Sequence, residues 1–128
     1  MSNVPADLLY TKDHEYVAKT SDPTVVRVGI TDYAQGELGD IVFVNLPKKG
    51  DKFAAHASFG TIEAVKAVSE LYTPVAGTVM EVNAALEADP AVINRDPYAG
   101  GWMVGLKVDP DQLATLIKAA DYKKLIGE

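Results

Sequence analysis

The sequence predicts a mainly β fold: a pseudo-two-fold β sandwich with short helices between strands and a helix at the C-terminus. Three observations predict it. Short runs rich in β-branched residues alternate with turn clusters through the first half of the chain. A weak internal repeat places Gly39-Asp40-Ile41-Val42-Phe43-Val44-Asn45 over Gly77-Thr78-Val79-Met80-Glu81-Val82-Asn83 and continues to Asp51 over Asp89. Two related strands on opposite sheets would leave this trace. After Asp109 the apolar spacing turns helical.

The elements follow in order. Glu15-Tyr16-Val17-Ala18-Lys19 reads as a strand, closed by the polar turn Thr20-Ser21-Asp22-Pro23. Thr24 to Ile30 is a second strand, dominated by valine. Thr31 is placed to cap a short helix through Asp32-Tyr33-Ala34-Gln35. Gly39 opens a third strand, Ile41-Val42-Phe43-Val44-Asn45-Leu46, and Pro47-Lys48-Lys49-Gly50-Asp51 is a turn cluster. At the far end Asp109 caps a helix with Pro110 at its first position. Leu113, Leu116, Ile117 and Ala120 then form an apolar stripe, predicting a helix over about 110–126 that lids a sandwich edge. Trp102, after Gly100-Gly101, reads as core packing. No linker or low-complexity segment interrupts the chain, so 1–128 reads as one domain.

Composition narrows the functions open to it. The chain has 128 residues, 48% of them hydrophobic and 23% charged, enough for a self-sufficient core. It contains no cysteine, which excludes disulfides, thiolate metal sites and a cysteine nucleophile. The formal net charge is −6, and the only adjacent basic pairs are Lys48-Lys49 and Lys123-Lys124. Nucleic acid and anionic membrane are therefore not expected as partners. No stretch approaches the roughly 20 apolar residues that span a bilayer. The opening Met1-Ser2-Asn3-Val4-Pro5-Ala6-Asp7 has neither a basic-then-apolar signal nor an Arg-rich transit character. With Met1 retained, the expectation is a full product used in the cytoplasm.

The segment around Lys66 is the most informative. Glu63-Ala64-Val65-Lys66-Ala67-Val68-Ser69-Glu70 sets one lysine between two Ala-Val arms. Its local structure is ambiguous. Ile62, Val65, Val68 and Tyr72 share a helical spacing, whereas β-branched Val65 and Val68 and the bracketing Gly60 and Pro74 favour strands. No Asn-Gly or Asp-Gly pair marks a hairpin turn.

The longer stretch from Gly60 to Gly77 resembles the lipoyl-attachment segment of the glycine cleavage H-protein family. The likeness extends over nearly the whole chain. Tyr10-Thr11-Lys12-Asp13-His14-Glu15-Tyr16-Val17 resembles that family's His-Glu-aromatic opening strand. Gly29-Ile30-Thr31-Asp32-Tyr33-Ala34-Gln35, followed by Leu38-Gly39-Asp40-Ile41-Val42-Phe43-Val44, is similar to its most recognisable first-half motif. Asn94-Arg95-Asp96-Pro97-Tyr98, with Gly101-Trp102-Met103, is similar to its late turn and strand. Three positions depart from the pattern: Ala64 where serine is frequent, Tyr33 where some members carry histidine, and Gly105 where many carry a charge.

The resemblance implies a barrel-sandwich hybrid of the lipoyl-domain type. Its lipoyl-like core would run over about 24–106, with the modified lysine at the tip of a β-hairpin. It implies lipoate bound covalently at Lys66 and a carrier with no catalytic residues of its own. The implied cycle takes an aminomethyl group from glycine at a pyridoxal-phosphate decarboxylase (the P protein). It presents that group to a tetrahydrofolate-dependent aminomethyltransferase (the T protein), then returns to dihydrolipoyl dehydrogenase (the L protein). A lipoylating enzyme is a fourth partner, and a monomer suits the role. The absence of cysteine fits a dithiol carrier, because no protein thiol competes for the lipoyl disulfide. By position, His14, Glu15, Thr31, Asp32, Tyr33 and Glu70 are implied as the surface where the loaded arm rests. Glu15 is expected to be the main contact for an aminomethyl ammonium.

Weighed against this, Lys66 without its motif would be one more solvated surface lysine, and Glu15 and Glu70 two solvated carboxylates. His14 and His56 have no metal-ligand spacing, so no metal site is expected. A biotinyl domain is disfavoured because Val65 and Ala67, not methionines, flank the lysine. A lipoyl relay to other enzymes and an unmodified β-sandwich module remain the alternatives.

Overall fold

A computed structural model describes residues 2–128, so Met1 and its reading as a retained start lie outside the described residues. Strand β1 is Leu9–Tyr10, β2 Glu15–Lys19 and β3 Val25–Ile30. Helix α1 is Asp32–Leu38, and β4 is Ile41–Asn45. Then come β5 Lys52–Phe53, β6 Ser58–Ala64, β7 Val68–Tyr72 and β8 Gly77–Val82. Short helices α2 Ala85–Ala88 and α3 Val92–Arg95 precede β9 Val104–Val108. A 3-10 segment Pro110–Thr115 leads to β10 Ile117–Lys118 and α4 Ala119–Leu125.

The strands form a seven-stranded antiparallel sheet, ordered β10-β1-β2-β3-β9-β8-β5, and a three-stranded sheet, ordered β4-β6-β7. Val28, Val79 and Leu106 of the large sheet share one buried cluster with Ile41, Ile62 and Leu71 of the small one. Burial of these branched side chains between the sheets is the main favourable term of the fold. The repeat places its copies as expected: β4 lies in the small sheet and β8 in the large. The sheets differ in size because β1, β2 and β10 extend only the large one.

Strands β2, β3 and β4 fall where the sequence puts them, whereas β1 and β5 are additional. Thr31 caps α1 through its hydroxyl, which accepts from the Ala34 amide at 3.2 Å. The helix runs on to Leu38, a turn beyond the expected Gln35, and Gly39 ends it at φ +81°.

Two expectations are corrected. The helix over 110–126 is not continuous. Asp109 does cap the start, its carboxylate accepting from the Asp111 amide at 3.0 Å, but the backbone turns extended at Leu116. Ile117 and Lys118 then pair with Tyr10 and Leu9. The groups of β1 facing away from β2 need partners, and a strand supplies them where a helix would not. The apolar stripe shifts accordingly: Leu113 is buried, Ala120 is exposed, and Ala119 and Tyr122 take the inward positions. Trp102 does not enter the core. It is half-buried beneath Arg27, whose guanidinium sits 4.3 Å from the ring centroid, and Met103 is buried in its place. No helix among the described residues is long and apolar enough to cross a membrane.

Candidate functional site

The Lys66 segment is a β-hairpin. Strands β6 and β7 pair through Glu63↔Val68, Ile62↔Ser69 and Thr61↔Glu70. The Ala64 amide donates to the Ala67 carbonyl at 2.7 Å, and the Ala67 amide returns a long 3.4 Å bond. That leaves Val65-Lys66 as a two-residue loop at the tip. Val65 is 75% exposed, and Lys66 and Val68 are also exposed. Ala64 and Ala67 both look like small surface neighbours in the sequence, yet only Ala67 is exposed. Ala64 pairs with Ile41 and is buried. The Lys66 stem runs back over Gly39, with Cε 3.2 Å from where a Gly39 Cβ would stand.

Below the tip is a cleft of about 280 Å³ between the hairpin, α1 and the start of β2. Ile30, Ala34, Leu38, Ile62 and Leu71 give it an apolar wall. Asp13, Glu15, Glu37 and Glu70 give it carboxylates, with His14, Tyr33 and Ser69 beside them. A wider hollow of about 480 Å³ lies between the Thr20–Pro23 turn and Pro110–Leu113, and no hairpin residue borders it.

Four of the six candidate arm residues meet in the cleft: His14, Glu15, Tyr33 and Glu70. Thr31 and Asp32 do not line it. The Thr31 hydroxyl is fully buried and bonds Tyr122 Oη at 2.7 Å while capping α1. Asp32 turns to the N-terminal segment, accepting from the Asn3 amide at 2.8 Å and from Gln35 Nε2 at 2.7 Å. Residues three and four apart share a helix face, which groups Asp32 with Gln35 and Gly36 rather than with the pairs Tyr33/Glu37 and Ala34/Leu38. The cleft receives Tyr33, Ala34, Glu37 and Leu38 instead. Glu37 and Leu38 are not among the arm residues that the sequence implies, because they face the cleft only when α1 runs past Gln35. Asp13, next to His14 in the opening motif, was missed without that excuse.

Glu15 is not a solvated carboxylate. It is 2% exposed, accepts from the Thr11 hydroxyl at 2.9 Å and from the Tyr72 amide at 3.3 Å, and burial pushes its pKa up to about 8. His14 is held below the usual histidine value by burial, against the pull of Asp13 and Glu37. Its ring lies 5.0 Å from that of Tyr33, and its Nδ1 shares a 2.9 Å hydrogen bond with Tyr122 Oη. Glu70 stays exposed and accepts from the Ser58 hydroxyl. An apolar wall beside carboxylates is suited to an aliphatic chain that carries a cation.

Comparison with known proteins places this geometry. The family model described as glycine cleavage H-protein matches residues 8–128. The chain is 54% identical over 127 residues to the glycine cleavage system H protein of Chlorobium limicola, covering 98% of this chain and 99% of that one. It is 53% identical over 128 residues to the glycine cleavage system H protein of Opitutus terrae, covering 99% and 100%. The crystal structure of a glycine cleavage system H protein from Mycobacterium marinum superposes with a TM-score of 0.87 at 39% identity, covering 98% of this chain and all of that one.

Proposed function

This chain belongs to the glycine cleavage H-protein family, whose role is that of a lipoyl-bearing carrier, and from that membership we propose that Lys66 is the residue that bears the lipoyl group. The observation that carries the reading is the hairpin: one exposed amine at a two-residue tip, on the same hairpin that walls a cleft of matching chemistry. When bound, the lipoyl group supplies a disulfide and dithiol that take up and release a one-carbon amine unit.

The residues present fit that group. The apolar wall of Ile30, Ala34, Leu38, Ile62 and Leu71 accepts an aliphatic chain and excludes water from it. His14, neutral by burial, adds no competing positive charge. Glu15 Oε2 and Glu70 are the acceptors for an ammonium in the cleft. Burial raises the Glu15 pKa to about 8, and an arriving cation would lower it and favour the carboxylate. Sequence position singles out Glu15 as the main contact, and its place in the cleft supports that.

The protein's own part is presentation and protection, with no catalytic residue. The partners of the reading are the P, T and L proteins of glycine cleavage and a lipoylating enzyme, met in the cytoplasm by a monomer. Residues 1–128 act as one unit around the lipoyl-like core at about 24–106.

The test is the intact mass of the protein from lipoate-supplied cells, with Lys66→Ala in parallel. One lipoyl increment on the parent and none on the variant is the expected result. No increment beside an active lipoylating enzyme would leave an unmodified β-sandwich module.

A further inference from the structure

The tip that carries Lys66 is not held by its own turn. Two-residue hairpin loops match the twist of their strands when a central residue has positive φ. Neither Val65 nor Lys66 does. The second closing bond, Ala67 to Ala64, is stretched to 3.4 Å. A turn of this kind splays its strands unless something outside braces it.

The brace comes from the loop between α1 and β4. The Val65 amide donates to the Asp40 carbonyl at 3.0 Å, and the Lys66 stem lies over Gly39. That loop is in turn clasped by one side chain. Asn94, on α3, donates through Nδ2 to the Gly39 carbonyl at 2.9 Å and to Gln35 Oε1 at 2.9 Å. Its Oδ1 accepts from the Ile41 amide at 2.9 Å. The three bonds use both sides of the amide and fix the peptide groups on either side of Asp40. Of the side chains near its size, only an amide supplies donors and an acceptor in one plane.

We propose that Asn94 is a positioning residue for Lys66, setting the presentation of the lysine to the lipoylating enzyme through the Gly39–Asp40 loop. It touches neither Lys66 nor the incoming group. The proposal rests on Lys66 being the acceptor.

The test uses the full chain in unlipoylated form, a lipoate ligase with ATP and lipoate, and amide hydrogen exchange. The variants are Asn94→Asp, Asn94→Ala and Lys66→Ala. Asn94→Asp keeps the shape and the acceptor for Ile41 but loses both donor bonds. The expected result is a KM for the chain about tenfold higher in both Asn94 variants, with kcat within about twofold, because a shifted acceptor impairs docking while the ligase chemistry is untouched. Val65 amide exchange should rise in step, while amides of β2 and β3 stay protected. Unchanged KM with unchanged Val65 exchange would overturn the proposal. So would a parent protein whose Val65 amide exchanges as fast as in an unfolded peptide, a result that needs no variant to fold. Uptake of lipoate by Lys66→Ala, or none by the parent, would instead sink the acceptor reading, leaving the exchange data to judge the brace alone.

Discussion

The Lys66 side chain crosses Gly39, its Cε 3.2 Å from the point a Gly39 Cβ would occupy. Gly39 sits at φ +81° and ψ −156°, a conformation open essentially to glycine alone. The contact itself is with the flexible end of a lysine, which can move aside. The backbone is the larger cost. Gly39→Ala is expected to destabilise the protein by about 1–3 kcal/mol in a urea titration. A loss below about 0.5 kcal/mol, the range of an ordinary surface substitution, would mean that the loop finds another conformation.

The buried acid at Glu15 makes a pH prediction whose sign is fixed by linkage. Its folded pKa is about 8, above the ordinary glutamate value of 4.5, so the folded state holds its proton more tightly than the unfolded chain. Stability from this group is full at low pH and falls as pH rises from about 4.5 to about 8, by at most about 3–5 kcal/mol. Glu15→Gln keeps one acceptor oxygen, for the Tyr72 amide, and sets its NH2 against the Thr11 hydroxyl, which must turn to accept, while removing the titration. Denaturant titrations at several pH values across that window should show the variant's stability varying less than the parent's, with its relative gain largest at the alkaline end. Parallel curves would mean that the carboxylate is solvated in solution.

Tyr122 ties α4 to the cleft. Its hydroxyl lies 2.7 Å from Thr31 Oγ1 and 2.9 Å from His14 Nδ1, and its ring stacks on Tyr10 at 4.7 Å. Phenylalanine would keep the stack and strip both hydroxyl partners in a site of low exposure. Tyr122→Phe is expected to cost about 1–3 kcal/mol, seen as a lower denaturation midpoint with an unchanged slope. A midpoint within error of the parent would show that water replaces the hydroxyl at both partners.

What was legible in the sequence was local. Glu15–Lys19, the Thr31 cap and the strand at Ile41 are written in residue type and spacing, and the structure places them there. The Gly39 and Gly77 copies could be read because each opens onto a strand, β4 in one sheet and β8 in the other. The C-terminal segment was misread because Leu113, Leu116 and Ile117 suit a long helix as well as a 3-10 turn followed by a strand. What decides between them is the open edge of β1, more than a hundred residues away along the chain. The cleft was half legible. His14, Glu15, Tyr33 and Glu70 came from family likeness, whereas Glu37 and Leu38 depended on how far α1 runs. Asn94 could not be read at all, because its role rests on contacts made across 53 to 59 residues.

Arginine at position 66 separates the amine from the charge. Lys66→Arg keeps a long cationic side chain whose stem can still lie over Gly39. A guanidinium remains protonated at any working pH, so it offers no free amine to an activated acyl donor. The tip is exposed, and a change there should move stability by no more than about 0.5 kcal/mol. The expected outcome is a protein that melts like the parent and gains no lipoyl mass in lipoate-supplied cells. A normal increment on Lys66→Arg would move the attachment to another lysine and detach the cleft from the arm. A large loss of stability would mean that the Lys66 ammonium holds the tip in place, giving it a structural task beside the chemical one.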